Sequence, residues 1–342
     1  MTATPRFDFA SDNTAGCAPE ALQSLVEHNA GSASGYGTDT VTARAADLVR
    51  GLLDADADVR FVANGTAANC IALAALAQPH EAVLCHEHAH VRTDETGAPG
   101  LFGSGVGLIP VPGGKGRMDP VALHAALQAP DVSYRQSAAA LSLTNATEYG
   151  TVYSAGDVRA LTAQARDAGY GVHLDGARLA NAAAAGFDLK LIKTLNVDVL
   201  IVGGTKAGMT PTEAIVLFDK RLSRRFDARL KHAGQLTSKG RFLSAPWIGM
   251  LESGAWLERA RHANAMAQKL AAVFRARTPF EIAHPVQANA LFVRMDEPAL
   301  QRLRERGVFV YRFLDGTVRF MCSWATTEES VERLAEDLAQ IC

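Results

Sequence analysis

The chain has no excess of either charge. Lys and Arg number 34 against 36 Asp and Glu, a formal net charge of −2. That removes the broad basic surface on which non-specific nucleic-acid or anionic-membrane binding depends. It also has no run of eighteen apolar residues, and no apolar segment follows a basic start. Neither a spanning helix nor a secretion signal is therefore expected, and the cytoplasm is the expected compartment. Cysteine is sparse. Cys17, Cys70, Cys85, Cys322 and Cys342 are odd in number and scattered, with no C-x-x-C pair, which argues for free thiols, most of them packing residues. No internal repeat is present. The remaining composition, 48% hydrophobic and 20% charged over 342 residues, suits a globular protein with a substantial core and two domains.

Between residues 58 and 218, short apolar segments alternate with helical patterns. "VRFVA" from 59, "AVLC" from 82, "VGLIPV" from 106, "AAALSL" from 138, "YGVHLD" from 170, "DVLIVG" from 198 and "AIVLF" from 214 read as strands. "AANCIALAALA" and "SAGDVRALTAQARDAG" read as helices, the latter opening on Ser154 as N-cap and closing near Gly169. Such alternation predicts an α/β fold with a mostly parallel sheet covered on both faces, whose ligands gather at the carboxyl ends of the strands. Long helical periodicity follows over about 220–276, interrupted at Pro246. Arg221, Arg224, Arg225 and Arg229 share its spacing and read as a solvated or subunit-contact face. A smaller mixed unit comes last, with "ANALFVRM" and "GTVRFMCSW" as strands and "EPALQRLRERG" and "TTEESVERLAEDLAQ" as helices. The expected division is an N-terminal arm at 1–45, a large domain at 46–245 and a small α+β domain at 246–342. The arm would pack on a neighbour or complete the site.

"DVLIVGGTKAGM" raises the first chemical question. A triphosphate-binding loop needs G-x-x-x-x-G-K-[ST], but here Thr205 precedes Lys206 and Ala207 follows it. What remains is a lysine just past a buried strand, flanked by small residues. Desolvation there favours the neutral amine that makes a Schiff-base nucleophile, and the alternative is a hydrated loop lysine. In "FVANGTAAN" a strand runs into Asn64, Gly65 and Thr66 and a helix begins at once. That junction offers either an anion site for a phosphate monoester or a simple N-cap. Asp175 ends the strand "YGVHLD", and a buried acid there needs a cation. Arg178 is one partner; a protonated pyridine nitrogen is the other. His86, His88 and His90 alternate, so on a strand they would share one face as zinc ligands do. No second shell is evident and no metal site is assigned. His90 is instead the choice for stacking on a flat cofactor ring.

Phosphate site, stacking histidine, aspartate and lysine, in that order, resemble the fold-type I pyridoxal-phosphate enzymes, and within them the L-threonine aldolase and β-eliminating lyase group, over about residues 7–325. The resemblance implies a transferase-like large domain with a seven-stranded, mostly parallel sheet. It implies pyridoxal 5′-phosphate held by Gly65, Thr66, His90, Asp175, Arg178, Thr205 and Lys206, with Lys206, His90 and Asp175 catalytic. Through "FDFASDNTAG", "GYGTDTVT" and "GTVRFMCSW" it assigns substrate contacts to Ser11, Tyr36 and Arg319, alongside Arg178. Arg319 would grip the substrate carboxylate, a task suited to a guanidinium fork. A homo-oligomer is implied, dimer or tetramer, with the site at a subunit boundary near Tyr36.

Two segments depart from that pattern. "TNATEYGT" puts Thr147 and Glu148 where many threonine aldolases carry an asparagine-threonine-histidine segment, and "GGTKAGMTPTEA" replaces the commoner "SKGLGAP". Both mark a divergent, low-specificity subgroup. The expected activity is cleavage of L-β-hydroxy-α-amino acids, of the threonine, allo-threonine or phenylserine type, to glycine and an aldehyde. Its rivals are a β-eliminating lyase, dehydratase or aminotransferase on a similar amino acid, and a non-catalytic sugar- or nucleotide-binding α/β protein.

Overall fold

The computed structural model describes residues 4–342. Seven strands form the central sheet: β1 (Asp58–Val62), β2 (Glu81–His86), β3 (Gly107–Val111), β6 (Ser137–Thr144), β7 (Gly171–Gly176), β8 (Val199–Gly203) and β9 (Glu213–Leu217). A two-stranded hairpin, β4 (Gly113–Gly114) and β5 (Arg117–Met118), interrupts the series. The spatial order is β1-β9-β8-β7-β6-β2-β3, with β9 antiparallel to both neighbours and the others parallel. All seven expected strands are therefore present in a single sheet.

Their near-continuous apolar sequences follow from burial on both faces. In β8, Val199 and Ile201 pack with the helix Gly65–Leu76 in one core, while Leu200 and Val202 join the opposite core. The helix Ala155–Asp167 opens on a capping box between Ser154 and Asp157, and Gly169 follows it at φ +81°. This left-handed backbone is the conformation that the closing glycine permits.

Helical periodicity after residue 218 breaks elsewhere than at Pro246. Helices occupy Lys220–Ser223, Phe226–His232, Arg241–Glu252 and Ala255–Arg277, and Pro246 lies inside the third. The sharpest break falls at Gly254, whose φ of +77° continues no right-handed helix. The arginines at 221, 224, 225 and 229 do not share one face, because Arg225 stands between two helices at φ +61°. The N-terminal segment is more ordered than its weak periodicity suggests. Its helices Pro19–Glu27 and Thr40–Leu53 both pack on Arg241–Glu252 of the same chain.

A second core gathers Phe274, Leu291, Leu300, Phe320 and Leu334 around a three-stranded antiparallel sheet, β10 (Ala290–Val293), β12 (Val318–Met321) and β11 (Tyr311–Arg312). The helices Glu297–Glu305 and Glu328–Ala339 cover it. Phe9 reaches this unit through the bond from Met321 N to Phe9 O at 2.9 Å. The residues just after Phe9 are thereby held between the two cores. No helix among the described residues is long and apolar enough to cross a membrane.

Candidate active site

Parallel pairing puts the carboxyl ends of β1, β2, β6, β7 and β8 along one edge of the sheet. Gly65, His90, Glu148, Asp175 and Lys206 follow those ends and border one two-lobed cavity, whose larger lobe is about 320 Å³. Ser11, Arg178 and Arg319 complete its wall. Lys206 is half-buried in a short 3-10 turn directly after β8. The glycines before it have a steric cause: a side chain at Gly203 collides with the Ala177 carbonyl, and one at Gly204 with the Thr212 carbonyl. The lysine is thus delivered by a turn that can pack tightly against its neighbours.

Asp175 is 3% exposed and has no cationic partner. Its Oδ1 accepts from Ala177 N at 2.8 Å and its Oδ2 from Asn69 Nδ2 at 3.0 Å. Arg178, the simpler partner by sequence, turns away and pairs with Asp12 through Nε at 2.7 Å and Nη2 at 2.9 Å. A buried carboxyl held by two neutral donors beside an open cavity fits a protonated ring nitrogen. The same Asn69 nitrogen donates to Glu95 Oε1 at 3.0 Å, which in turn meets His90 Nδ1 at 2.9 Å. That hydrogen bond raises the imidazole pKa despite burial. One buried asparagine therefore ties the ring acid to the stacking histidine.

The three histidines do not share a strand face. β2 ends at His86, whose Nε2 meets Gly113 O at 3.3 Å; His88 Nδ1 meets the Tyr149 hydroxyl at 2.9 Å; and His90 opens a separate helical turn. At the start of the helix Gly65–Leu76, Asn64 caps Ala67 N at 2.8 Å. Among the described residues the amides of Gly65 and Thr66 find no acceptor. The capping and anion-binding readings are compatible, because the cap uses a different amide. The Thr205 hydroxyl is engaged by the Thr212 backbone, at 3.1 and 3.3 Å.

On the opposite wall, Arg319 is 8% exposed. It donates from Nη2 to Ala10 O at 3.2 Å and to the Tyr311 hydroxyl, while its Nε has no partner. Burial, then the charge of Arg178, lowers its pKa to about 10. Ser11 lies on the same wall, its hydroxyl oxygen accepting from Asn13 N at 3.2 Å. Tyr36 stands apart, half exposed at φ +58°, beside a second cavity with Phe61, Leu236 and Leu243.

Sequence reasoning missed four members of this constellation: Asp12, Asn69, Glu95 and the position of Glu148. For Asp12 burial alone raises the carboxyl, but the charge and hydrogen bonds of Arg178, with smaller help from Lys206 and Asn289, bring it down to about 2. Its signal was adjacency to Ser11 in "FDFASDNTAG". Glu213, at the start of β9 on the same edge, is raised to about 7 by burial, partly offset by the hydrogen bond from Gly204 N at 2.8 Å.

Known proteins resemble the chain along nearly its whole length. The model of the beta-eliminating lyase family matches residues 8–298. The low-specificity L-threonine aldolase of Pseudomonas sp. (strain NCIMB 10558) is 44% identical over 337 residues, 97% of each chain. That of Pseudomonas aeruginosa is 45% identical over 334 residues, 96% of each. The solved threonine aldolase of Leishmania major is 30% identical, with a TM-score of 0.91 over 98% of this chain and 99% of its own. The chain belongs to the β-eliminating lyase family, as a pyridoxal-phosphate-dependent lyase of the low-specificity L-threonine aldolase type.

Proposed function

We propose that the protein cleaves L-β-hydroxy-α-amino acids between Cα and Cβ to glycine and an aldehyde, with the roles assigned below. The observation that carries this is Lys206 and a buried, cation-free Asp175 in one cavity. When bound, pyridoxal phosphate accepts the electron pair released as a bond to Cα breaks.

Lys206 supplies the amine that anchors the cofactor covalently. Asp175 holds the proton on the ring nitrogen, fixed by Asn69 and the Ala177 amide. The free amides of Gly65 and Thr66, at the positive end of a helix, receive the phosphate, and Thr205 supports that end from the lysine turn. His90 would stack on the ring. Glu95 fixes its Nδ1, which leaves Nε2 uncommitted for a proton, directly or through water. Arg178, locked by Asp12, would contact the phenolate side of the ring and the substrate. Arg319 and Ser11 would receive the substrate carboxylate; the Nε of Arg319 lacks an acceptor among the described residues, and a carboxylate would satisfy it.

Tyr36 lines neither lobe of the cavity but borders the separate one with Phe61, Leu236 and Leu243, which supports supply of this side chain to a neighbouring subunit. A homo-oligomer, dimer or tetramer, is the assembly this reading proposes. The same reading assigns the cytoplasm, which suits free thiols at Cys17, Cys70, Cys85, Cys322 and Cys342. The division into an arm (1–45), a large cofactor domain (46–245) and a small domain (246–342) belongs to the same reading, although its last boundary falls inside the helix Arg241–Glu252, which packs in the main core.

The test is product analysis of purified protein with added cofactor on L-threonine, L-allo-threonine and L-phenylserine. Glycine and aldehyde in equal amounts support the aldolase. Ammonia with a keto acid identifies elimination, and an amino-group acceptor requirement identifies transamination.

A further inference from the structure

Cleavage requires a group that takes the proton from the β-hydroxyl. Lys206, His90, Glu148, Asp94, Glu95 and Asp175 border the cavity and have that capacity, but Asp175 is assigned to the ring nitrogen, Glu95 is taken by Asn69 and His90, and Asp94 is exposed and accepts from the Thr93 hydroxyl at 2.6 Å. Lys206 anchors the cofactor and, once the substrate amine takes its place, would serve the proton taken up at Cα. His90 gives its Nδ1 to Glu95 and, on the reading above, its ring face to the cofactor.

Glu148 differs from both. It is 8% exposed and borders both lobes of the cavity. Its Oε1 is occupied twice, by His90 N at 2.9 Å and the Thr144 hydroxyl at 3.0 Å. Its Oε2 is buried and has no hydrogen-bond partner among the described residues. A buried carboxyl oxygen left unsatisfied is costly in a folded protein and marks a place where something else binds. Neighbouring Thr147 is no competitor, because it is 1% exposed and its hydroxyl is engaged by Thr151 at 2.8 Å.

We infer that Glu148 is a catalytic residue whose Oε2 receives the β-hydroxyl proton of the substrate as the Cα–Cβ bond breaks. The inference rests on the aldolase reading above. The O–H bond breaks and its proton passes to Oε2, while the C–O bond becomes the carbonyl of the departing aldehyde. The electron pair left at Cα is the one stored by the cofactor until Cα takes up a proton. The proton that reaches Cα comes from solvent and Glu148 releases its own to solvent, so one proton leaves oxygen and one reaches Cα. No oxidant or reductant is needed.

The setting suits the task. Burial raises the Glu148 carboxyl, and the negative charge of Asp175 adds to this, while the hydrogen bonds from His90 N and Thr144 oppose it. A carboxylate raised above its ordinary range is a stronger base nearer the working pH. The other titratable groups around it are His90, Arg178 and Lys206 on the cavity side, and Cys85, Tyr149 and Tyr153 behind it.

Glu148→Gln tests this cleanly, because the amide oxygen still accepts from His90 N and Thr144 while the basic oxygen is lost. In the full-length holoenzyme two reactions are compared: cleavage of L-allo-threonine, and exchange of the glycine α-hydrogen with deuterated water, which involves no hydroxyl. Cleavage is expected to fall by about 10²–10⁴-fold, and glycine exchange to stay within about threefold, well inside the 1.4 kcal/mol that a tenfold change represents. The acidic limb of the cleavage pH profile is expected to disappear. Glu148→Asp, one methylene shorter but still a base, is expected to fall between the two. In the cofactor-free chain, the infrared difference between parent and E148Q should show a carboxyl stretch that loses its proton above the ordinary glutamate value of 4.5. Subtraction also removes Glu213, the other raised carboxyl of this edge. Cleavage within threefold of the parent overturns the inference, and so does a parallel loss of glycine exchange, which would mark a structural role. A parent that yields no glycine from any β-hydroxy amino acid overturns the aldolase reading itself.

Discussion

Arg178 and Asp12, 166 positions apart in the chain, form a buried two-point ion pair at 2.7 and 2.9 Å. It joins the loop after β7 to the segment between Phe9 and the first helix. A single cavity wall is thereby made from the two ends of the amino-terminal half.

Removing the acid leaves a buried guanidinium uncompensated. Asp12→Ala is expected to destabilise the fold by roughly 3–5 kcal/mol and to raise KM as Arg178 loses its fixed orientation. Urea unfolding and steady-state kinetics measure the two effects. The pH dependence has a definite sign: the Asp12 carboxyl falls from 3.8 to about 2 on folding. Its contribution, about 2 kcal/mol by linkage, is present above pH 4 and lost as the pH drops toward 2. Asp12→Asn should flatten the melting-temperature profile of the parent in that window.

Lys206→Ala is expected to abolish turnover and the visible absorbance of covalently held cofactor. Borohydride reduction of the parent followed by peptide mapping should label Lys206. A label on another lysine refutes the assignment.

Asp175→Asn is expected to retain cofactor through the Gly65 and Thr66 amides, yet to lower kcat by about 10²–10⁴-fold as the ring proton is lost. Cofactor content and kcat are measured on the same preparation. Near-parental kcat in a loaded variant would reduce Asp175 to a structural group.

Substrate choice should favour aryl β-substituents. Thr147 makes no room for the β-substituent, since its side chain is 1% exposed and sealed behind the wall. Tyr311, Phe313 and Leu314 line the larger lobe instead, and flat apolar walls suit a phenyl group. The kcat/KM for L-phenylserine should at least equal that for L-threonine, and Phe313→Ala should lower the ratio by up to tenfold, about 1.4 kcal/mol. A tenfold preference of the parent for threonine would dismiss the aryl pocket while leaving the aldolase in place.

Arg319→Lys keeps the charge but loses the planar fork. It is expected to raise KM for every amino-acid substrate by about tenfold or more, with the cofactor still bound. An unchanged KM would exclude Arg319 from the carboxylate site.

The amino-acid sequence by itself determined the seven sheet strands, because strands buried on both faces must be apolar runs. It determined the Ser154 cap, the lysine after β8 and the acid near the end of β7, since each is a local consequence of residue type at a strand or helix end. Only tertiary structure decided who meets whom. Asp175 could have paired with Arg178 three residues on, but Arg178 turns to Asp12, and the carboxyl of Asp175 meets Asn69 from 106 positions away. Pro246 reads as a break in sequence yet sits within a helix that the main core holds through Trp247. Glu148 occupies a loop whose side-chain directions no periodicity encodes, and its free oxygen exists because His90 N and Thr144 take the other one. Periodicity reports burial along one element. The pairing of buried charges is settled only when the sheet edge brings distant loops within hydrogen-bond reach, where leaving any of them unpaired costs more than the local preference of the chain can oppose.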